Sequence, residues 1–287
     1  GDLRGDLRCH VWQAQIWAVD AMQTDADIVI AVATHKAYRM PDDPIYLPLQ
    51  VGKALHPDRN FGIQTDNTGD NISAKNATYS ELTGLYWLWK NVDVRYKGLT
   101  HYRRLFGTRD AVRLLYHDPY KRLATKDELL KLLNRRDIVV ARRRNYYIES
   151  VYSHYDHTFD GKQFKAMRRV LMNTTPEYVP AWDKVMQSGG AHIYNMFVMP
   201  KELLDTYCTW MFAAVDGLVE EFGPVRDPFL ARYPGRVSER LLDTWIYTNK
   251  ISYAELPVVN AEPVDWLHKG VSFLAAKFAG KKYERSF

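Results

Sequence analysis

One apolar run near the start of the chain, Ile28–Ala33 (IVIAVA), limits the possible folds more than any other feature. Its β-branched and small residues show no polar alternation, which is typical of a strand buried on both faces of a sheet. The polar residues Thr34, His35 and Lys36 follow directly. Ligands of open α/β sheets bind beyond the carboxyl ends of the strands, so this turn is a candidate binding position.

Strand and helix patterns alternate along the rest of the chain. Strands are predicted at Tyr96–Thr100, Asp137–Ala141 and within Ile193–Met199, and helices at Ser73–Asn91, Asp127–Leu133, Glu202–Leu218 and Ser238–Thr248. This alternation predicts an α/β domain with a mixed central sheet flanked by helices. We expect residues 27–263 to form that domain, between an N-terminal extension or linker (1–26) and a basic amphipathic tail (264–287).

Composition narrows the class of partner. The chain has 39 Lys+Arg against 34 Asp+Glu, a formal charge of +5, and its pI is near 9.0. An anionic partner is therefore favoured, but the chain lacks the basic helix or aromatic-basic strand of a nucleic-acid binder. The tail 264–287 either lies on an anionic membrane face or packs on the domain. With two cysteines, Cys9 and Cys208, and no secretory signal pattern, a cytoplasmic location is expected.

The turn Asp66–Asn71 and the helix predicted after it form a candidate anion site. Backbone amides of a Gly- and Asn-rich turn at a helix start attract phosphate, and Lys75 would add a charged contact. An ordinary capped loop is the alternative. Neither a Walker motif nor G-x-G-x-x-G occurs in the sequence, which disfavours P-loop and Rossmann nucleotide binding.

A second candidate is His101-Tyr102-Arg103-Arg104, directly after the strand predicted at Tyr96–Thr100. Cationic groups at a strand end are costly in a core but useful at a ligand crevice. Neighbouring residues of a strand point to opposite faces, so one of the two arginines is expected to face a ligand. A solvated loop with a structural histidine is the alternative.

Acid–base chemistry has one further candidate, Glu239, at the start of the helix predicted from Ser238. With Ser238 as the cap, Glu239 either complements the helix dipole or serves as a general base toward a substrate hydroxyl. His154 and His157 are side chains of a metal-binding type, but their spacing fits no zinc motif. Structural or acceptor-binding roles are preferred for both.

Several strings of the sequence carry a family resemblance: VATHKAYRMPDD (32–43), DNTGDNISAKN (66–76), SELTGLYWLWKN (80–91), GLTHYRRLF (98–106) and RVSERLLDTWI (236–246). Together they resemble a bacterial domain long described as of unknown function and found in capsular, exopolysaccharide and O-antigen glycosyltransferases. The resemblance implies a GT-A-like single nucleotide-sugar-binding domain. It also implies inverting transfer of a hexose, with UDP-galactofuranose as the donor, to a lipid-linked or polysaccharide acceptor. A catalytically silent carbohydrate-binding domain is the alternative, and a nucleic-acid-binding protein is a weaker one.

This resemblance also assigns roles to residues. The implied donor-binding residues are Thr34, His35, Lys36, Asp66, Asn67, Asp70, Asn71, Lys75, His101, Tyr102, Arg103 and Arg104. Glu239 is the implied catalytic base, and the acceptor candidates are Tyr194, Asn195, His154 and His157. For Tyr194 and Asn195 a structural turn is an equal alternative.

The chain departs from most GT-A enzymes in its metal motif. Their Asp-x-Asp would follow the strand that here ends in His101–Arg104, whereas the Asp-x-Asp of this chain, Asp25–Asp27, precedes the first strand. Cationic side chains can stabilise a diphosphate leaving group instead. We therefore expect metal-independent transfer, with a divalent cation as the open alternative. We expect the protein in the cytoplasm, with peripheral attachment to the inner membrane face as a further possibility.

Overall fold

A computed structural model describes residues 27–262. Its strands are β1 Ile28–Thr34, β2 Tyr46–Gln50, β3 Gln64–Thr65, β4 Tyr96–His101, β5 Arg104–Phe106, β6 Ile138–Ala141, β7 Arg144–Asn145, β8 Gly190–Ala191, β9 Phe197–Pro200, β10 Tyr253–Leu256 and β11 Val258–Asn260. Its α-helices are α1 Asn76–Tyr79, α2 Leu82–Asn91, α3 Lys126–Leu133, α4 Val151–Thr158, α5 Lys162–Thr174, α6 Val179–Gln187, α7 Lys201–Phe222, α8 Tyr233–Ser238 and α9 Leu241–Asn249.

The central sheet is mixed, as the sequence predicts. Its strand order is β10-β6-β9-β4-β1-β2-β3, and β5 leaves the end of β4 to pair with β11. β1 runs parallel to β2 and β4, β6 runs parallel to β10, and β9 runs antiparallel to both β4 and β6. The carboxyl ends of β1, β2 and β4 therefore meet at one edge of the sheet, which we call the carboxyl edge.

Both faces of the sheet are covered, which explains the unbroken apolar run in β1. Val29 and Ala31 point into a core shared with helices α2 and α5–α9, whereas Ile30 and Val32 point into a second core with α3 and β5. Successive side chains of a strand alternate between faces, and here both faces are apolar. The predicted layered α/β architecture is confirmed.

The helix predicted over Ser73–Asn91 is broken in the structure. Ser80, between α1 and α2, has a positive φ of 53° with ψ of −130°, which no helical residue adopts. Asn76, the first residue of α1, donates its side-chain amide to the Ser80 carbonyl at 2.7 Å and to the Thr83 hydroxyl at 2.9 Å. Because of this break α2 begins at Leu82, and Glu81 is its N-cap residue.

The helix predicted from Ser238 also divides. Ser238 closes α8, and its buried hydroxyl donates to the Gly235 carbonyl at 2.7 Å. α9 begins only at Leu241, so Glu239 lies in the junction between the two helices. The prediction that Ser238 caps a helix beginning at Glu239 was wrong, because the preceding residues already form a helical turn.

Several predictions concern residues outside the described part of the chain. The extension 1–26, Cys9 and the basic tail 264–287 with its proposed membrane face all belong there. Cys208 is buried in α7. Within residues 27–262, no helix is both long and apolar enough to cross a membrane.

Candidate active site

The carboxyl edge collects polar residues from three neighbouring strands. Thr34 pairs with Gln50, and Ala33 pairs with His101, so the ends of β1, β2 and β4 lie side by side. The buried Thr34 hydroxyl donates to the Lys36 carbonyl at 2.6 Å and shapes the turn that follows β1. The sequence-predicted groups Thr34–Lys36 and His101–Arg104 are thus brought together.

A group of cations surrounds His35. Desolvation lowers the pKa of His35, and the positive charges of Arg103, Arg232, Lys36 and Arg59 lower it further. The imidazole is therefore neutral at pH 7 while its neighbours are charged. A positive field of this kind at a strand edge favours a phosphate-bearing ligand.

The ring of Tyr102 packs against His35 and against two of these cations. Its ring is buried and makes edge-to-face contacts with His35 and Tyr38, with ring centroids 5.4 and 5.0 Å apart. The Lys36 ammonium lies 5.4 Å from the Tyr102 ring centroid, and the Arg103 guanidinium lies 5.3 Å from it. Tyr102 therefore positions the cations by cation–π contact.

Two carboxyl groups, Glu81 and Glu239, lie beside this cationic group. Burial raises the pKa of Glu239 to about 7; the charge of Glu81 raises it as well, and Arg240 and Arg104 oppose the shift. The Arg240 guanidinium donates to the Glu239 carboxylate. A partly exposed carboxyl with a pKa near 7 has the properties of a general base at neutral pH.

Asn195 links the segments that carry the two carboxyls. Its buried amide donates to Glu81 Oε1 at 2.9 Å and to the hydroxyl of Ser238, the residue before Glu239, at 3.0 Å. The backbone of Asn195 is left-handed, with φ of 49°, a conformation that Asn tolerates better than most residues. This position makes Asn195 a positioning residue for the carboxyl pair.

His101 connects the strand edge to the same link. Its Nε2 donates to the carbonyl of Tyr194, and burial lowers its pKa although Glu81 acts in the opposite direction. Arg104 lies 5.1 Å from the Tyr194 ring centroid. The candidate acceptor residues Tyr194 and Asn195 therefore adjoin the carboxyl pair.

The cationic group and the carboxyl pair meet at Ser80. Arg232 donates through Nε to the Ser80 hydroxyl at 3.1 Å, and Glu81 is the next residue of the chain. Arg232 also acts on the pKa of His35. The cationic group and the carboxyl pair thus adjoin at the carboxyl edge; we call this region the crevice, the cations its positive wall and the carboxyls its acidic wall.

Asp66 is placed in the interior instead of the donor crevice that the sequence predicts. Its carboxylate is fully buried and accepts hydrogen bonds from the amides of Gly52 and Lys53 and from the hydroxyls of Ser73 and Thr83. All of these partners are protein groups that join neighbouring loops. The structure therefore gives Asp66 a structural role.

The segment from Asn67 to Asn71 leaves the carboxyl edge at the end of β3, which is parallel to β2, and passes along α2. The Asp70 amide bonds to Asn91, the last residue of α2, at 3.0 Å, whereas Glu81 precedes the first. Asn67 accepts from the Thr65 hydroxyl, and Asn71 donates to the Gly69 carbonyl. Lys75 pairs with Asp216 at 3.3 Å. The structure does not bring these four residues to the cationic group.

His154 and His157 share one partner on the acceptor side. Both bond through Nδ1 to the carboxylate of Glu149, at 3.1 and 2.7 Å. The ring of His154 also stacks on Tyr146, with centroids 4.1 Å apart. The two histidines therefore fix the loop in front of α4.

The positions of metal-ligating side chains bear on whether the site could hold a metal ion. Within the described residues, no three His, Cys, Asp or Glu side chains converge in a way that could hold a metal ion. Asp27, the described residue of the Asp-x-Asp, precedes β1 and pairs with Lys126 at 3.0 Å. It lies at the amino end of β1, away from the crevice.

Comparison with known proteins identifies the class of fold. The chain has a glycosyltransferase fold: it is similar to the apo structure of the WbbM bifunctional glycosyltransferase, with a TM-score of 0.74 and 25% identity over 83% of this chain. It spans 46% of the length of that protein. Residues 29–250 match the model of DUF4422, described as a domain of unknown function, and the chain belongs to that family. No curated protein matches it.

Three residues of the crevice are missing from the sequence-based set: Arg59, Glu81 and Arg232. Glu81 lies in the string SELTGLYWLWKN, but a continuous helix over Ser73–Asn91 places it in mid-helix without a special position. Only the break at Ser80 puts Glu81 at a helix start. Arg59 and Arg232 come from loops distant in sequence, and no local pattern marks them.

Proposed function

We propose that the protein transfers a sugar from a UDP-sugar donor to a glycan acceptor. The observation that carries this proposal is the crevice itself, in which the cations around His35 adjoin the Glu81–Glu239 pair. The family and the similarity to a glycosyltransferase structure support the same class of reaction.

The cationic wall suits the donor diphosphate. As the bond to the sugar breaks, negative charge grows on the UDP leaving group, and fixed cations stabilise that charge. Lys36, Arg59, Arg103 and Arg232 are the groups proposed for this role, with His101 and Arg104 beside them. Because these cations can meet the need for positive charge, we propose transfer that does not require a divalent metal ion.

The acidic wall suits activation of the acceptor. Ionised Glu239 would accept the proton of an acceptor hydroxyl as that oxygen attacks the anomeric carbon. Attack from the face opposite the leaving UDP inverts the anomeric configuration. Glu81 and Asn195 hold the base in position, and Arg240 stabilises its charge.

The finer identity of the substrates is proposed from the family resemblance. The donor is UDP-galactofuranose and the acceptor is a growing bacterial surface polysaccharide or its lipid-linked precursor. Such an acceptor agrees with a cytoplasmic enzyme at the inner face of the membrane, to which the basic tail 264–287 would add affinity.

A donor screen tests the proposal. UDP release is measured with UDP-galactofuranose, UDP-galactopyranose and UDP-glucose, with lipid-linked and soluble galactoside acceptors, in EDTA and after addition of Mn²⁺. We expect acceptor-dependent release with UDP-galactofuranose, undiminished by EDTA, and a product whose NMR spectrum shows inversion. Binding of glycans without UDP binding or turnover would instead indicate a carbohydrate-binding domain.

A further inference from the structure

The loop between β7 and α4 holds an aromatic side chain in solvent under backbone strain. Tyr147 is 91% exposed, and its φ is 58°, a positive value that a bulky residue rarely adopts. The Ile148 amide donates to the Tyr146 carbonyl at 2.7 Å, which makes Tyr147 the centre of a three-residue γ-turn. A γ-turn with positive φ is rare and strained.

The strain is maintained because the chain is fastened on both sides of the turn. Before it, Asn145 pairs with Gly190, and the Tyr146 amide donates to the Gly189 carbonyl at 2.8 Å. After it, Glu149 bonds to both histidines of α4, and Ser150 caps that helix. Strain that is fixed by its surroundings in this way is typical of functional sites.

The turn lies next to the acidic wall of the crevice. The ring of Tyr146 is buried against His154, with ring centroids 4.1 Å apart. Tyr155, the residue after His154, has its ring centroid 5.3 Å from the guanidinium of Arg240, which donates to Glu239. The chain thus passes directly from the surroundings of the proposed base to the exposed ring of Tyr147.

The surroundings of the ring suit a sugar. Arg144 and Asn145 precede Tyr147 closely in the chain and are exposed, and the His157 side chain, which bonds to Glu149 two residues after Tyr147, is 66% exposed. Sugar rings combine an apolar C–H face with a rim of hydroxyls, so they match an aromatic face bordered by hydrogen-bonding groups. A lipid surface or a protein partner would favour a wider apolar patch than Tyr147 and Ile148 offer.

We propose that Tyr147 is a stacking platform for a sugar ring of the acceptor glycan, held in place by the strained γ-turn. The proposal rests on the proposed function, since it names how the acceptor is bound at that same crevice. Preorganising the ring reduces the entropy lost when the glycan binds.

Acceptor kinetics and direct binding test this proposal together. The probes are methyl β-galactofuranoside and methyl β-galactopyranoside, followed by saturation-transfer NMR, with transfer assays on the same acceptors. Tyr147→Ala should raise the acceptor KM about tenfold and weaken saturation transfer correspondingly, while the Kd for UDP and the donor KM stay unchanged. Tyr147→Trp, which keeps an aromatic face, should retain an acceptor KM within about threefold of wild type.

Two further variants separate binding from folding. Tyr147→Gly relieves the backbone strain, so it should melt no lower than wild type and yet lose acceptor affinity like Tyr147→Ala. Tyr116→Ala removes a tyrosine that is 47% exposed in another loop and should change nothing.

The outcomes distinguish this proposal from the proposed function. If wild type is active and Tyr147→Ala has a normal acceptor KM and normal saturation transfer, the stacking role of Tyr147 is wrong and the transferase function stands. A wild type that shows no saturation transfer to either glycoside would also contradict the stacking role. A wild type that binds glycosides through Tyr147 but neither binds UDP nor releases it from any donor would overturn the transferase function and leave the platform standing.

Discussion

Glu81 raises the pKa of Glu239, and the two carboxyls are held in one unit by Asn195. Burial is the larger cause of the shift, which brings the pKa of Glu239 to about 7. Asn195 bonds to Glu81 and to the residue before Glu239, so a single buried amide joins the two segments that carry the carboxyls. The site thus contains a carboxyl group that is partly ionised at neutral pH and a neighbouring carboxyl whose charge affects how strongly the first holds its proton.

The pH dependence of kcat/KM should therefore show the pKa of Glu239 and its dependence on Glu81. Because Glu239 acts as a base only when ionised, kcat/KM should rise with pH through about 7 and then level off. Glu81→Gln removes a negative charge that disfavours ionisation of Glu239, so the rise should move to lower pH. The profile is measured from pH 5 to 9, with Glu202→Gln, a carboxyl in the first turn of α7, as the control. An unshifted profile in Glu81→Gln would contradict the coupling.

Affinity for UDP should depend on the cations around His35. Arg103→Ala and Arg232→Ala should each weaken UDP binding about 10- to 100-fold, because a charge-assisted hydrogen bond to phosphate contributes about 1.5–3 kcal/mol. Arg136→Ala, which removes an exposed arginine between α3 and β6, should have no effect. Isothermal titration calorimetry with UDP in EDTA measures all three. Equal affinities in all three variants would exclude this group as the diphosphate site.

Asp66→Ala should damage stability without a specific effect on donor binding. The substitution leaves the amides of Gly52 and Lys53 and two hydroxyls without their buried acceptor. We expect a loss of about 3–5 kcal/mol in the free energy of unfolding, measured by urea denaturation. The protein that stays folded should bind UDP with normal Kd. A large change in UDP affinity with an unchanged free energy of unfolding would show instead that Asp66 belongs to the donor site.

Glu239→Gln should stabilise the folded protein at alkaline pH. The folded-state pKa of about 7 lies above the ordinary value of 4.5, so folding favours the protonated form. The cost of the buried charge is absent below pH 4.5, grows as the pH rises, and is complete above about 7. Glu239→Gln removes that cost and should raise the melting temperature by about 2–4 °C at pH 8, with little change at pH 4.5. A lower melting temperature at pH 8 would show that the bond to Arg240 outweighs desolvation.

The parts of the fold that depend on local pattern follow from the sequence. The run Ile28–Ala33 predicts a buried strand, and the polar residues after it and after β4 predict the edge where the crevice lies. The break at Ser80 does not follow, because bonds from Asn76 and from the distant Arg232 hold it in place. The burial of Asp66 does not follow from the sequence either. A turn rich in Asp and Asn has the same sequence pattern whether its carboxylate faces solvent or accepts bonds from four buried donors.

The proposal that Glu239 is the catalytic base is tested most directly by the rate of sugar transfer by Glu239→Gln at saturating UDP-galactofuranose and acceptor. Loss of a general base lowers kcat by about 10²–10⁴-fold, while the Kd for UDP should stay that of wild type because Glu239 contacts no part of the diphosphate in this account. We predict that result for Glu239→Gln at pH 7.5, with inverted product from the wild type. A kcat near that of wild type in Glu239→Gln would contradict the assignment of Glu239 as the base.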